Sequence, residues 1–302
     1  MIHVTFVHDR NDSILYMSKL LGKIVYTSNH GTSQGIVTRF FLQFEEMSKF
    51  AFMGDQERKK LHENYYNKNL NDFTDFYDIY QLILKLRRNY IEGIKSGLFY
   101  KAFENGEFTA DKSPEVNIKK AIKDFFSAGK PLLNNFAKSK IIDDGNFELV
   151  KLLIKSPESF DKAKNEMLPN LKIKGYNVLF QIIEDAQTEF KKDFFLIRDA
   201  FEHNYLQIPN FEIKESNGVI FIEDPKLKGE NVFKLIDFYY HKTLNLIEDL
   251  SAYFFGLNVC LRTNGNITLF SRKSGIDPSH SIYKYTLSIN CNDPNLIQLI
   301  GL

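Results

Sequence analysis

The sequence predicts a mainly α protein: a helical bundle with a β-hairpin between its last two long helices and a small antiparallel β element at the C-terminus. Three observations predict it. From Asp12 to about residue 255, apolar residues recur mostly every three or four positions, the helical spacing. Two short β-like runs in "FEIKESNGVIFIEDP" flank Asn217-Gly218, a strong hairpin signal. Beyond residue 256 the pattern turns to alternation in "NVCLRTNGNITLF", with a second Asn-Gly pair at Asn264-Gly265.

Taken in order, residues 2–7 alternate weakly and suggest a short strand. A first helix runs through Ile14, Leu15, Met17, Leu20, Leu21 and Ile24. The loop "SNHGTSQG" follows, then a second helix through Phe40, Phe41, Phe44 and Met47. Residues 54–72 are polar and fit either a loop or an exposed helix. "FYDIYQLILKLRRNYIEGI" reads as an amphipathic helix. The turn-rich stretch 104–114, closed by Pro114, is the best boundary. It gives an N-terminal helical region over 1–113, a helical core over 114–256 and a β element over 257–302. Residues 116–139 and 146–155 read as helices. Ser156 then offers an N-cap, with Pro157 at the first helical position.

The most regular helix runs from about Tyr176 to Phe201. Leu179, Ile182, Ala186, Phe190, Phe194, Ile197 and Phe201 form one apolar stripe. The hairpin at Asn217-Gly218 follows, ended by Pro225. The last long helix, 231–255, carries its stripe through Val232, Ile236, Tyr240, Ile247, Leu250 and Phe254. "YKYTLSINC" reads as a further C-terminal strand.

Composition narrows the function classes. The 302 residues are 43% hydrophobic, enough for a sizeable core, and 39 basic residues nearly balance 38 acidic ones. That balance excludes a strongly basic nucleic-acid coat but not a local basic cleft. Two cysteines, Cys260 and Cys291, form neither a CxxC motif nor a disulfide framework, and no His/Cys cluster has zinc-site spacing. No cofactor is expected. The N-terminus lacks a signal-peptide pattern, and no apolar run approaches the ~18 residues of a membrane span. The expected location is the cytoplasm, where the sequons at Asn11 and Asn266 carry no meaning.

One stretch carries chemistry. "FFLIRDAFEHNYLQIP" brings Arg198, Asp199, Glu202 and His203 to the end of the strongest apolar stripe, anchored by Phe194, Ile197 and Phe201. A metal-free ribonuclease needs a base for the ribose 2′-hydroxyl and an acid for the leaving 5′-oxygen. It also needs a fixed cation for the charge that develops on phosphate. Histidine titrates near neutrality and suits both proton roles. Arginine's permanently charged fork suits the phosphate. One Arg and one His make half of such a site; two copies across a symmetric dimer make a full set.

"RDAFEH" at the end of a long amphipathic helix resembles the Arg-x(4–6)-His signature of the HEPN superfamily. These are helical-bundle domains, many of them metal-independent ribonucleases of toxin–antitoxin, CRISPR-linked and abortive-infection systems. The resemblance is best over 176–255, and the C-terminal β element has no counterpart in the minimal family pattern. It implies a HEPN-like bundle acting on RNA as a homodimer, with an antitoxin or regulatory protein as a further partner. By the same resemblance Arg198 holds phosphate, His203 is the general acid and base, and Asp199 orients one or the other. Glu202 modulates this reading. It lies four residues after Arg198, where an intrahelical ion pair is worth a few tenths of a kcal/mol. A structural reading makes the bundle a non-catalytic binding or assembly module, with Arg198 tied up by Glu202.

Other candidates are weaker. Lys85, Arg87 and Arg88, near Tyr90 and Lys95, form an interleaved basic face of the kind that binds RNA, though a solvated charged face is the plainer reading. Lys119, Lys120 and Lys123 form a similar patch. His3, His8, Asp9 and Asp12 fit a strand end better than a metal site. Asp237 and His241 are i,i+4 neighbours, best read as an intrahelical contact, with His241 a candidate to line the site. Cys260 is expected in a strand and buried.

Overall fold

The structure is a computed structural model. It describes residue 40 and residues 55–102, 108–139, 148–153, 157–170, 176–263, 266–271, 285–290 and 297–301. The expected strand over 2–7, the first helix, the "SNHGTSQG" loop and His3, His8, Asp9, Asp12 and Cys291 lie outside them, as does most of the second helix.

The described chain is mainly helical, with small strand pairs. Helix α1 spans Asp55–Leu61, and a π-turn, His62–Tyr66, leads into α2, Asn67–Lys95. The polar stretch 54–72 is thus largely helix. Strands β1, Tyr100–Ala102, and β2, Phe108–Ala110, pair antiparallel ahead of α3, Ser113–Lys138. Two short helices follow: α4, Leu149–Leu153, and α5, Pro157–Met167, which starts on Pro157 as expected of a residue with fixed φ and no N–H. Helix α6, Tyr176–Ala186, passes through a π-turn, Gln187–Lys191, into α7, Lys192–Glu202.

The hairpin between the last two long helices is present. β3, Glu212–Ser216, pairs with β4, Val219–Glu223, around Asn217-Gly218, both at positive φ, the turn whose twist suits a two-residue hairpin. A second, smaller hairpin follows, β5, Lys226–Leu227, with β6, Glu230–Asn231, turning on Lys228 and Gly229. Helix α8 spans Val232–Thr263. The strand expected over Asn258–Thr263 is therefore helix, Cys260 included. Continuing an established helix gains one hydrogen bond per residue without a new nucleus, which outweighs six residues of alternation. The C-terminal sheet comprises β7, Asn266–Ser271, β8, Tyr285–Asn290, and β9, Ile297–Gly301. β7 pairs antiparallel with β8 but parallel with β9, so the element is mixed rather than antiparallel. Among the described residues no helix is long and apolar enough to cross a membrane.

The chain divides into two compact units. The first takes residues 1–74, 132–189 and 244–302. Its core is aromatic. Tyr65 meets Phe136 and Phe255 edge-on, Phe136 stacks on Phe254, and Phe40 stacks on Phe73 at 4.4 Å. Tyr65 shares a 2.9 Å hydrogen bond with Ser251, so its buried hydroxyl is satisfied.

The second unit takes residues 75–131 and 190–243 and holds the Arg–His motif. The predicted stripe is its spine: Phe190, Phe194, Ile197 and Phe201 are all buried. Phe194 packs against Phe125, Phe126 and Tyr239, and Phe126 reaches on to Phe201 at 5.5 Å. Gly129 of α3 permits this fit. A Cβ there would stand 2.4 Å from the Phe194 ring. At the other end Tyr80 stacks on Tyr240 at 4.0 Å. A buried carboxylate, Glu115, ties three segments together, accepting from the Tyr90 hydroxyl at 2.8 Å and from the Phe211 N–H at 3.2 Å. It fixes the path of the chain leaving α7.

Candidate active site

Arg198, Asp199 and Glu202 lie on the last turn and a half of α7, and His203 is its C-cap. The helix stops there for a local reason. Asn204 takes φ 56°, a left-handed conformation that asparagine tolerates better than most side chains. The N–H groups of Tyr205 and Leu206 both turn back to the Ala200 carbonyl, and that of His203 reaches Asp199 at 3.0 Å. These bonds satisfy carbonyls that the helix end would otherwise leave open.

Arg198 is held by its own helix. One terminal nitrogen meets Asp199 at 2.6 Å and the other meets Glu202, the i+4 pair that the spacing predicts. The arginine side chain is only 15% exposed, whereas both carboxylates are well exposed. Its Nε–H is buried and has no acceptor among the described residues. Leaving a buried donor unmade costs about 1–3 kcal/mol. Among the described residues the Asp199 side chain contacts Arg198 and not His203.

His203 is exposed, and its ring lies 5.8 Å from that of Tyr205, at 33°. Within the described residues no hydrogen bond or ion pair joins Arg198 to His203. One chain therefore presents a positioned guanidinium and a solvent-facing imidazole at one helix end, without a direct link between them.

Helix α3 also reaches this end of the unit. Lys123 Nζ lies 6.0 Å above the Phe201 ring, and Lys119 donates to the Asn210 side chain at 2.5 Å. Upstream, Lys191 is almost fully buried, with its Nζ 5.2 Å from the Phe195 ring. Burial pulls its pKa down to about 7.

The remaining candidates sort by what holds them. Arg87 makes a two-pronged pair with Asp224, at 2.9 and 2.7 Å, and lies 4.8 Å over the Phe233 ring. Lys85 and Arg88 are exposed on the same helix. His241 meets Asp237 at 3.5 Å, the intrahelical contact expected, and Tyr80 donates to the same carboxylate at 2.5 Å. Sequence reasoning overlooked Tyr205 and Asn210. The available signal was Asn204, whose type favours a left-handed stop just after the motif.

The chain matches no protein-family model, no curated protein and no solved structure.

Proposed function

We propose that this chain is a metal-independent endoribonuclease of the HEPN type, active as a homodimer in the cytoplasm. The observation that carries the reading is the state of Arg198. Two carboxylates hold it on the same last turns that end in an exposed histidine, and among the described residues its buried Nε–H has no acceptor. A cost in stability that is retained at one position is a mark of a functional residue.

In the reaction, the ribose 2′-oxygen attacks phosphorus and the bond from phosphorus to the 5′-oxygen breaks. His203 of one protomer takes the 2′-hydroxyl proton, and His203 of the partner subunit delivers a proton to the leaving oxygen. Arg198 neutralises charge on the phosphate, and Asp199 keeps its fork aimed. The products are a 2′,3′-cyclic phosphate and a 5′-hydroxyl. A toxin or phage-defence effector, restrained by an antitoxin or regulatory protein, is the role that suits such an activity.

The test is RNA cleavage in EDTA by purified protein. Cleavage lost in both Arg198→Ala and His203→Ala supports the reading. Variants as active as wild type would trace the activity to a contaminant or another site.

The Arg198–Glu202 ion pair favours a second reading, a non-catalytic binding or assembly module. Glu202→Ala separates the two. Removing a shield from a latent site raises RNA cleavage or affinity, whereas removing a structural pair only shifts stability slightly.

A further inference from the structure

We infer that the chain segment from Phe201 to Asn210, together with Lys119 and Lys123, forms a binding platform for unpaired RNA, on which Tyr205 stacks a base next to His203. The inference deepens the ribonuclease reading, on which it rests for the nature of its ligand, by naming the residues outside the Arg–His motif that hold that ligand.

Tyr205 is the first observation. Its side chain is 85% exposed, the most exposed of the large hydrophobic residues described. Yet its backbone is pinned, because its N–H bonds to the Ala200 carbonyl at 2.8 Å. A ring fixed at its base and open on its faces is what a nucleobase needs for stacking. The His203 ring sits 5.8 Å away, so a base on Tyr205 lies next to the imidazole.

Charge is the second. Lys119 and Lys123 are one helical turn apart on α3 and bracket the segment, Lys123 at Phe201 and Lys119 at Asn210. Among the described residues neither makes an ion pair, and the hydrogen-bond partner of Lys119 is a neutral amide. Arg198, by contrast, already meets two carboxylates. In the unliganded chain the positive charge open to a phosphate at this end is therefore that of the lysines. It also offsets Asp199 and Glu202, which would otherwise repel an RNA backbone.

Strandedness follows from the geometry of RNA. In an A-form duplex the base faces are stacked on one another and closed to a side chain. A tyrosine ring reaches a base face only in a single strand, loop or bulge.

The probe is a fluorescent single-stranded 2′-O-methyl oligonucleotide, which binds without being cleaved, compared by anisotropy with its duplex on the full chain. Wild type is expected to prefer the single strand. Tyr205→Ala is expected to weaken binding roughly tenfold, the scale of one lost base stack, and Tyr205→Phe to keep it. Lys119→Ala with Lys123→Ala is expected to lower the slope of log K against log salt by about 1.4, two single-strand phosphates' worth. Equal binding by Tyr205→Ala and wild type, or equal affinity for single strand and duplex, overturns the platform. Cleavage in EDTA, measured separately, keeps the two readings apart. Tyr205-dependent binding without any cleavage upholds the platform and removes the catalytic reading. His203-dependent cleavage that Tyr205→Ala neither slows nor weakens in binding does the reverse. Neither binding nor cleavage removes both.

Discussion

Two arginines of the second unit, Arg87 and Arg198, both face carboxylates and do different things. Arg87 reaches Asp224, 137 residues along the chain, with two parallel hydrogen bonds. Asn231 braces the same carboxylate at 2.8 Å, and the Phe233 ring lies under the guanidinium. The pair joins α2 to the loop after β4, and its carboxylate is only 12% exposed. Among the described residues both ion-pair partners of Arg198 sit on its own last turns. Yet its side chain is the less exposed of the two. A fork that spans segments holds a fold together. A fork held by its own helix is oriented locally, and only its buried stem belongs to the packing.

The comparison breaks most readily in activity. Under the proposed function, Arg198→Ala loses RNA cleavage by about a hundredfold or more, the scale of one lost transition-state contact. Arg87→Ala, assayed under conditions where it stays folded, retains it. Cleavage that falls equally in both would erase the distinction. Stability should show the opposite order. Arg87→Ala is expected to cost about 2 kcal/mol in urea unfolding, because it strands a largely buried carboxylate. Arg198→Ala should cost less, about 1 kcal/mol, since it loses the packing of a buried stem but leaves behind only exposed carboxylates.

A third cation sharpens the contrast, because burial moves its pKa. Lys191 has its pKa pulled down to about 7, against 10.5 ordinarily. Between those values the unfolded chain holds more protons than the folded one, so this group makes stability rise with pH across that window. Its penalty is full below pH 7 and gone above pH 10.5. Lys191→Met should therefore stabilise the protein by about 1–3 kcal/mol at pH 6 and by much less at pH 10, read from urea curves at both. A gain independent of pH would mean that packing, not charge, is the cause. The smallest effect belongs to Glu202→Gln, a few tenths of a kcal/mol in stability. If the pair shields a latent site, the same change raises RNA affinity.

Much of this was legible in the sequence where one local signal sufficed. The stripe from Leu179 to Phe201 reports most of its buried face, though Ile183 rather than Ile182 is fully inside, and Asn217-Gly218 reports its own turn. The i+4 spacing of Arg198 and Glu202 foretells their ion pair. What stayed hidden depends on distant residues. Nothing near Arg87 announces Asp224, and nothing near Ile297 announces a parallel partner in β7. Lys123 and Phe201 lie far apart in the chain and meet only through packing. The π-turn at Gln187–Lys191 and the left-handed Lys228 were missed because their residue types do not demand those conformations. Alternation over 258–263 misled because helix propagation from the apolar stretch before it was stronger.

Gly129 has a consequence for the site, although it touches none of the site's residues. On α3 it follows Phe125 and Phe126 by one turn, and the Phe194 ring fills the room that its hydrogen leaves. It works as a notch for a key. Sliding α7 along α3 by one turn, about 5.4 Å, would carry that ring out of the notch and into a neighbouring side chain. The axial position of α7 is therefore set at this crossing, and Arg198 rides one turn beyond it. The reach from Lys123 to Phe201 is measured from the same datum. A residue with no side chain thus calibrates the spacing between the lysines and the histidine, and a blind search for inactivating substitutions should find it.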